Sequence, residues 1–341
     1  MNLQLETTPL RMITSADLLR LPYDDTLTRA GVEYAKKSLH YTYDRMRLGL
    51  GARLRKIVAG VAVELAFRRW LDAQEVPYDL LGATAFTEKD RYDLRLGGRR
   101  CDLKSFLISR RESISELRRD PGWLLDAAAL VPEDQLLGHS LNDGDLYAFG
   151  FLAGLEAYRR EDFDKAAQAG RPLELVASPD SGAWLGRGPW RSLGKLVLKT
   201  ELLTPLEVEI GGQGADHGAL VERLLLPPRE RVQTQHEFYS LLYLRVDRLP
   251  EGRLGVHSPA LRETHLVAPT HWHNIWVYGL EVIIAGWLTK GDFRSHSRRL
   301  PAGSSVKQYL RTQTVNYALD VRHLRPIAEL AARVKDFARS R

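Results

Sequence analysis

One twelve-residue stretch, Asp93-Leu-Arg-Leu-Gly-Gly-Arg-Arg-Cys-Asp-Leu-Lys104, constrains the fold of this chain most. Two glycines between short alternating segments specify a two-residue hairpin turn. The primed turns that match strand twist need positive φ at both central positions. The turn length fixes the register: Leu96 faces Arg99, Arg95 faces Arg100, Leu94 faces Cys101 and Asp93 faces Asp102. Alternation puts Asp102 and Lys104 on one face, with Asp93 on the same face. Like charges opposed across a ladder repel at Cβ separations of roughly 5 Å. Two facing aspartates are costly without a cation between them, and hard divalent cations take carboxylate oxygens. The hairpin therefore reads as half of a Mg²⁺ site with a lysine beside it.

The flanking sequence supplies a frame for that hairpin. Helical spacing appears from Thr28 to about Met46 and again, more strongly, from Ala52 to about Gln74. In the second helix Ile57, Val61, Phe67 and Leu71 form the expected buried stripe. Glu64 lies on that stripe, where an unpaired carboxylate is expensive. It is either ion-paired, with Arg68 as the obvious cation, or a third metal-directed carboxylate. Tyr78–Phe86 reads as a strand. Leu146–Gly154 is a nearly continuous apolar run, as in a strand buried on both faces. Glu161–Ala169 reads as a short helix. Together these predict an α/β (α+β) core, a central mixed sheet flanked by helices.

Beyond Gly170 the expected elements are strands at 195–203, 207–210, 238–246, 276–288 and 312–321. Gly211–Gly214 reads as a loop, Asp292 as the cap of a short helix, and Ile327–Arg339 as an amphipathic helix. The organisation expected is a core with an N-terminal helical arm over residues 1–170 and a β-rich C-terminal half over 171–341. That half would serve recognition, dimerisation or a degenerate second core. The echo between 146–163 and 276–293 is too slight to establish a duplication.

Composition narrows the class. The 341 residues carry 49 Lys+Arg against 43 Asp+Glu, a formal net charge of +6. That balance permits a nucleic-acid partner without demanding one. The sole cysteine, Cys101, excludes an intrachain disulfide framework and any Cys-rich metal cluster. The apolar runs at Val58–Phe67 and Val282–Leu288 are too short to span a bilayer, and no secretory leader is visible. A cytoplasmic protein without a membrane partner is expected.

Glu64 on a helix, Asp93 at the end of one strand and Asp102-Leu103-Lys104 on the next resemble the PD-(D/E)XK, or restriction-endonuclease-like, nuclease superfamily over roughly residues 45–170. The resemblance implies a Mg²⁺-dependent phosphodiesterase, with Mn²⁺ as a substitute ion. A DNA endonuclease of a restriction or phage-defence type is the reading it favours. Asp93, Asp102, the Leu103 carbonyl and Glu64 would hold metal, and Glu64, Asp93, Asp102 and Lys104 would be catalytic. Arg99, Arg100, Arg110 and Arg111 are candidates for gripping phosphates; their alternative role is charge protection of a strand edge. Partners implied are nucleic acid, DNA first, and a second copy or another protein. The alternatives are a non-catalytic nucleic-acid-binding or assembly subunit with a nuclease-like core, or an RNA nuclease.

Other motifs carry less. His271 and His273 share one face of an expected strand, but no Cys or carboxylate completes a zinc set at recognisable spacing. Gly188–Lys195 has the wrong glycine spacing for a phosphate loop, and Leu196 stands where Ser or Thr is needed. Gly211-Gly212-Gln213 reads as a turn.

Overall fold

The structure, a computed structural model, describes residues 12–39, 48–80 and 93–340. The far part of the strand expected at 78–86, the end of the helix expected at 28–46, and Tyr92 lie outside the described residues. The chain is mixed α/β and divides into two compact units. One comprises residues 1–31, 59–156 and 277–341, the other 32–58 and 157–276.

Strands and helices are numbered here in chain order. The first unit holds β1 (Leu19–Pro22), the start of α1 (Asp25–Ser38), most of α2 (Leu50–Ala73), β2 (Tyr78–Asp79), β3 (Leu94–Leu96), β4 (Arg99–Ile108), α3 (Arg111–Arg119), β5 (Ala128–Pro132), α4 (Glu133–Leu136) and β6 (Leu146–Glu156). The chain returns to it with β16 (Val277–Thr289), α6 (Lys290–His296), β17 (Arg298–Leu300), β18 (Asn316–Asp320) and α7 (Ile327–Arg339). Its main sheet has the order β1-β16-β6-β4-β3-β2, and β4 and β6 run parallel while the other neighbours are antiparallel. A parallel pair needs a crossover connection, which α3 and the segment through α4 supply. β17, β18 and β5 form a second, three-stranded sheet.

The hairpin register is the expected one. Leu94 pairs with Cys101, Arg95 with Arg100 and Leu96 with Arg99. Gly97 and Gly98 have φ of 55° and 80°, the positive pair a primed turn requires. β6 is buried from Leu146 through Gly154, as its unbroken apolar sequence demands.

Each face of the sheet has its own cover. Phe106 and Ile108 of β4 and Tyr147, Phe149 and Phe151 of β6 join Trp123, Leu124, Ala129 and Phe293 in one core. On the opposite face Val63 of α2 lies where a side chain at Gly150 would go, and Gly60 approaches Ser105. The buried positions of α2 are Gly51, Leu54, Arg55, Val58, Ala59, Ala62, Val63, Ala66, Phe67 and Leu71, whereas Ile57 and Val61 are only half-buried. The expected stripe is thus corrected by one position at two of its four members. Further along α2, Phe67, Trp70 and Leu71 line an apolar cleft with Ile327, Leu330, Ala331 and Val334 of α7.

The second unit holds α5 (Arg160–Gln168), β7 (Leu175–Ala177), β8 (Gly194–Thr200), β9 (Leu206–Gln213), β10 (Ala219–Leu226), β11 (Arg231–Phe238), β12 (Ser240–Val246), β13 (Leu254–Ser258), β14 (Glu263–Val267) and β15 (His273–Asn274). They form sheets of order β10-β9-β12-β7-β15 and β11-β8-β13-β14. Gly211-Gly212-Gln213, expected as a loop, is instead the end of β9. Its glycines admit close neighbours: a Cβ at Gly211 would meet the Tyr243 ring, and one at Gly212 the Ser240 carbonyl. Behind β9 lies a buried ionic network. Lys36 Nζ stands 3.0 Å from Glu209 and 3.6 Å from Glu174, and Arg245 Nε donates to Glu174 at 2.8 Å. The Tyr243 hydroxyl donates to Glu209 at 3.0 Å.

Candidate metal centre

The face of β4 that carries Phe106 and Ile108 turns polar toward the strand's start, at Lys104 and Asp102. Alternation makes this inevitable, since all four residues are two apart. β6 runs beside it with Tyr147 level with Asp102 and Phe149 level with Lys104. Lys104 Nζ donates to Asp102 Oδ2 at 2.5 Å and to Gln135 Oε1 at 2.8 Å. It also lies 5.6 Å from the Tyr147 ring centre, within cation–π range.

Asp93 arrives differently from the expectation. The ladder pairs end at Leu94 and Cys101, and the Asp93 N–H donates to the Cys101 carbonyl at 3.2 Å. The Asp93 carboxylate then accepts from the Leu103 N–H at 2.6 Å. Strand N–H groups point in the sheet plane. The Asp93 carboxylate therefore occupies the place that a backbone carbonyl of a longer β3 would take. It does not stand face to face with Asp102 above the sheet. The Leu103 carbonyl points to the same side as its N–H, toward Asp93.

Glu64 comes from α2, one residue beyond the Val63 that covers Gly150. Its carboxylate lies 3.5 Å from Arg68, the ion pair that the sequence offered as one of two readings. Asp102 on one face of β4, Asp93 in the sheet plane and Glu64 on the helix over the other face thus lie near enough for the charges of Asp102 and Glu64 to act on Asp93. Their mutual influence is visible at Asp93. Burial first, then the charges of Asp102 and Glu64, push its carboxyl well above the usual carboxylate range, against the pull of the Leu103 N–H and Lys104.

Among the described residues no three of His, Cys, Asp and Glu are disposed to hold an ion as they stand. As the side chains stand, Asp102 is turned onto Lys104 and Glu64 onto Arg68. The donor chemistry nevertheless fits a hard divalent cation. Three oxygen acids repel one another at a site with two cationic side chains, and a divalent ion relieves that repulsion if Asp102 turns from the amine.

No protein-family model, curated protein or solved structure matches this chain.

The four arginines divide into two pairs. The Arg99 guanidinium donates to the Gly144 carbonyl. Arg100 donates from Nε to Asp145 at 2.8 Å and from Nη1 to the Ser140 carbonyl at 2.6 Å. Both hold the loop that precedes β6, beside the carboxylates. Arg110 and Arg111 lie beyond the far end of β4, six or more residues past Lys104, roughly 20 Å at strand rise. The structure does not bring them to the hairpin. Arg110 contacts Ser113 and the Lys307 carbonyl.

Two side chains at this site escaped the sequence reading. Gln135 belongs to α4, a single turn after β5, and nothing local marks it as a partner of Lys104. Tyr147 was legible only as part of an apolar run. It is fully buried and its hydroxyl has no hydrogen-bond partner among the described residues. An orphaned buried hydroxyl costs about 1–3 kcal/mol. Burial first, then the Asp102 charge, make it a far weaker acid than a free phenol, so it stays neutral.

In the second unit, burial lowers the basicity of His265 and His273, with His271 adding to the effect at both. These histidines form no metal set among the described residues.

Proposed function

We propose that this chain is a Mg²⁺-dependent nuclease that hydrolyses phosphodiester bonds, with DNA as its substrate and an endonuclease of restriction or phage-defence type as its class. The observation that carries the proposal is the convergence of Asp93, Asp102 and Glu64 beside Lys104 at one end of the parallel β4–β6 pair. The order of elements supports it: a glutamate-bearing helix, a hairpin bearing both aspartates and the lysine, a helix, and a buried parallel strand. This order is similar to that of the PD-(D/E)XK nucleases.

In this reading Asp93, Asp102 and the Leu103 carbonyl hold the ion, and Glu64 adds a ligand directly or through water. Bound there, Mg²⁺ or Mn²⁺ would polarise the scissile phosphate and acidify a water. The chain's own part is to orient and neutralise. Lys104, freed from Asp102, directs its amine at the attacking water and offsets the charge that develops on phosphorus. Arg99 and Arg100 fix the loop before β6 and so shape the mouth of the site. No helix among the described residues is long and apolar enough to cross a membrane.

The ion pairs favour a second reading. Asp102 with Lys104 and Glu64 with Arg68 balance charge without metal, as in a non-catalytic nucleic-acid-binding or assembly subunit. One experiment separates the two. The purified chain is incubated with supercoiled plasmid, single-stranded DNA and RNA in Mg²⁺, Mn²⁺ or EDTA, beside Asp102→Ala and Lys104→Ala. The nuclease reading expects metal-dependent cutting by the wild type and at least about 100-fold less by each variant. Absence of cutting, or equal cutting by the variants, rejects it in favour of the binding subunit.

A further inference from the structure

Lys104 is held from more than one direction, and its partners come from three different elements. Asp102 is its neighbour on β4, Tyr147 lies on β6, and Gln135 reaches in from α4. An ammonium has three donors, of which Asp102 and Gln135 receive two.

These partners are not equivalent once the site binds metal. A carboxylate engaged by a cation no longer holds the amine. The Gln135 amide oxygen is neutral, so it is a weaker ligand for a hard cation than a carboxylate and can stay with the amine. α4 is itself well anchored. Leu136 is buried, the Glu133 N–H donates to the Val315 carbonyl, and the Glu133 carboxylate pairs with Arg299 at 2.6 Å. Gln135 is thus presented from a fixed support, although the helix is only one turn long. The ring of Tyr147 stiffens the opposite side, being fully buried and packed edge-on against Phe293 at 5.8 Å.

We propose that Gln135 is the positioning residue of this site. It keeps the Lys104 amine aimed at the reacting centre when Asp102 turns to the ion. Its role in turnover rests on the nuclease reading, whereas its grip on Lys104 does not.

The test has two arms. In the first, the full-length chain, free of metal and substrate, is labelled with ¹⁵N-lysine, and the Nζ resonances are recorded at low temperature. Lys104 is assigned through its loss in Lys104→Arg. A hydrogen-bonded ammonium exchanges slowly, so the wild type is expected to show a protected Lys104 signal. In Gln135→Leu that signal should broaden away or shift, while the signal of buried Lys290 is unchanged. Gln135→Glu, which keeps an acceptor oxygen, should restore it. A Lys104 signal that is unprotected in the wild type, or identical in Gln135→Leu, overturns the proposal.

The second arm measures plasmid cutting in Mg²⁺ and Mn²⁺. Gln135→Leu is expected to lower kcat by about 10- to 100-fold, the cost of a misplaced catalytic group. KM should stay within about twofold, because the residue touches no substrate. An unchanged kcat overturns the proposal. If the wild type cuts nothing, the nuclease reading fails, and the resonance arm alone decides whether Gln135 holds Lys104.

Discussion

The Lys36 network of the second unit and the Asp93 cluster of the first both bury carboxylates, yet their acids respond in opposite directions. Burial works against the charged form of Glu209, but Lys36, Tyr243 and Arg223 more than offset it and hold the carboxyl below its usual range. Burial also works against Asp93, and there the neighbouring Asp102 and Glu64 charges add to it. In the first network every acid is matched by a nearby cation. In the second, burial and the charges of Asp102 and Glu64 outweigh the pull of the Leu103 N–H and Lys104 on the buried carboxyl. The first arrangement supports the fold; the second favours a protonated Asp93 or a bound cation, which is what marks it as a candidate centre. The difference separates a structural cluster from a candidate centre without reference to any motif.

That comparison breaks first on two lysines. Replacing Lys36, whose side chain is 6% exposed, by Met removes the cation that Glu209 and Glu174 share and leaves these buried acids to Arg223, Tyr243 and Arg245 alone. The expected loss is about 3–5 kcal/mol, read as a lower denaturant midpoint. Lys104→Met should cost less, about 1–3 kcal/mol, since the Asp102 side chain it leaves is 22% exposed and can take up water, while on the nuclease reading it abolishes cutting. Similar destabilisation by the two substitutions would erase the distinction.

A smaller effect, of opposite sign, is expected at Asp93. The unfolded aspartate releases its proton near its ordinary value, whereas the folded one holds it to higher pH. The unfolded state therefore binds fewer protons across that window, and stability falls as pH rises through it. Asp93→Asn should remove that fall and raise the melting midpoint of the metal-free protein at neutral pH, while ending cutting. A lowered midpoint would mean that Asp93 is structurally supported. Adding Mg²⁺ should raise the midpoint of the wild type and leave Asp93→Asn unmoved, by about 1.4 kcal/mol at tenfold saturation.

Glu209 has the reverse pH sign. Its contribution is present above the ordinary glutamate value of 4.5 and is lost as pH falls through the lower folded value. Glu209→Gln should flatten the acid limb of the stability curve. The smallest effect belongs to Arg223, which meets Glu209 at 3.1 Å with its own side chain 67% exposed. Arg223→Ala should cost under about 1 kcal/mol, and less in high salt.

The parts of the molecule that were legible in the sequence are those whose signals are local. Gly97-Gly98 announced the hairpin and its register, the unbroken apolar run announced β6, and the 3.6-residue pattern gave α7 its bounds at Ile327–Arg339. The stripe of α2 was misjudged because that helix is covered on several sides, so no single face is defined. Gly211 and Gly212 looked like a turn because the neighbours that need their missing side chains, Tyr243 and Ser240, lie about thirty residues away. Asp93, Asp102 and Lys104 were legible through turn chemistry. Gln135 was not, since only the tertiary path of β5 and α4 brings it to Lys104. The strand β16 was visible as an element, but nothing in it tells which sheet it joins. A cut near residue 170 therefore does not follow the two compact units of the structure.

The pairing of Glu156 with Val277 has a consequence for how the chain comes together. About 120 residues leave the main sheet at the end of β6 and return at the start of β16 in the adjacent position. Closing a flexible loop of that length costs about 4 kcal/mol in chain entropy. During synthesis β6 must wait for the whole excursion before its antiparallel neighbour exists. An excursion that has already folded, with its ends near each other, turns that long closure into something closer to a hairpin. The first unit is then the last to be completed, and mutations confined to the second unit should slow the appearance of the main sheet.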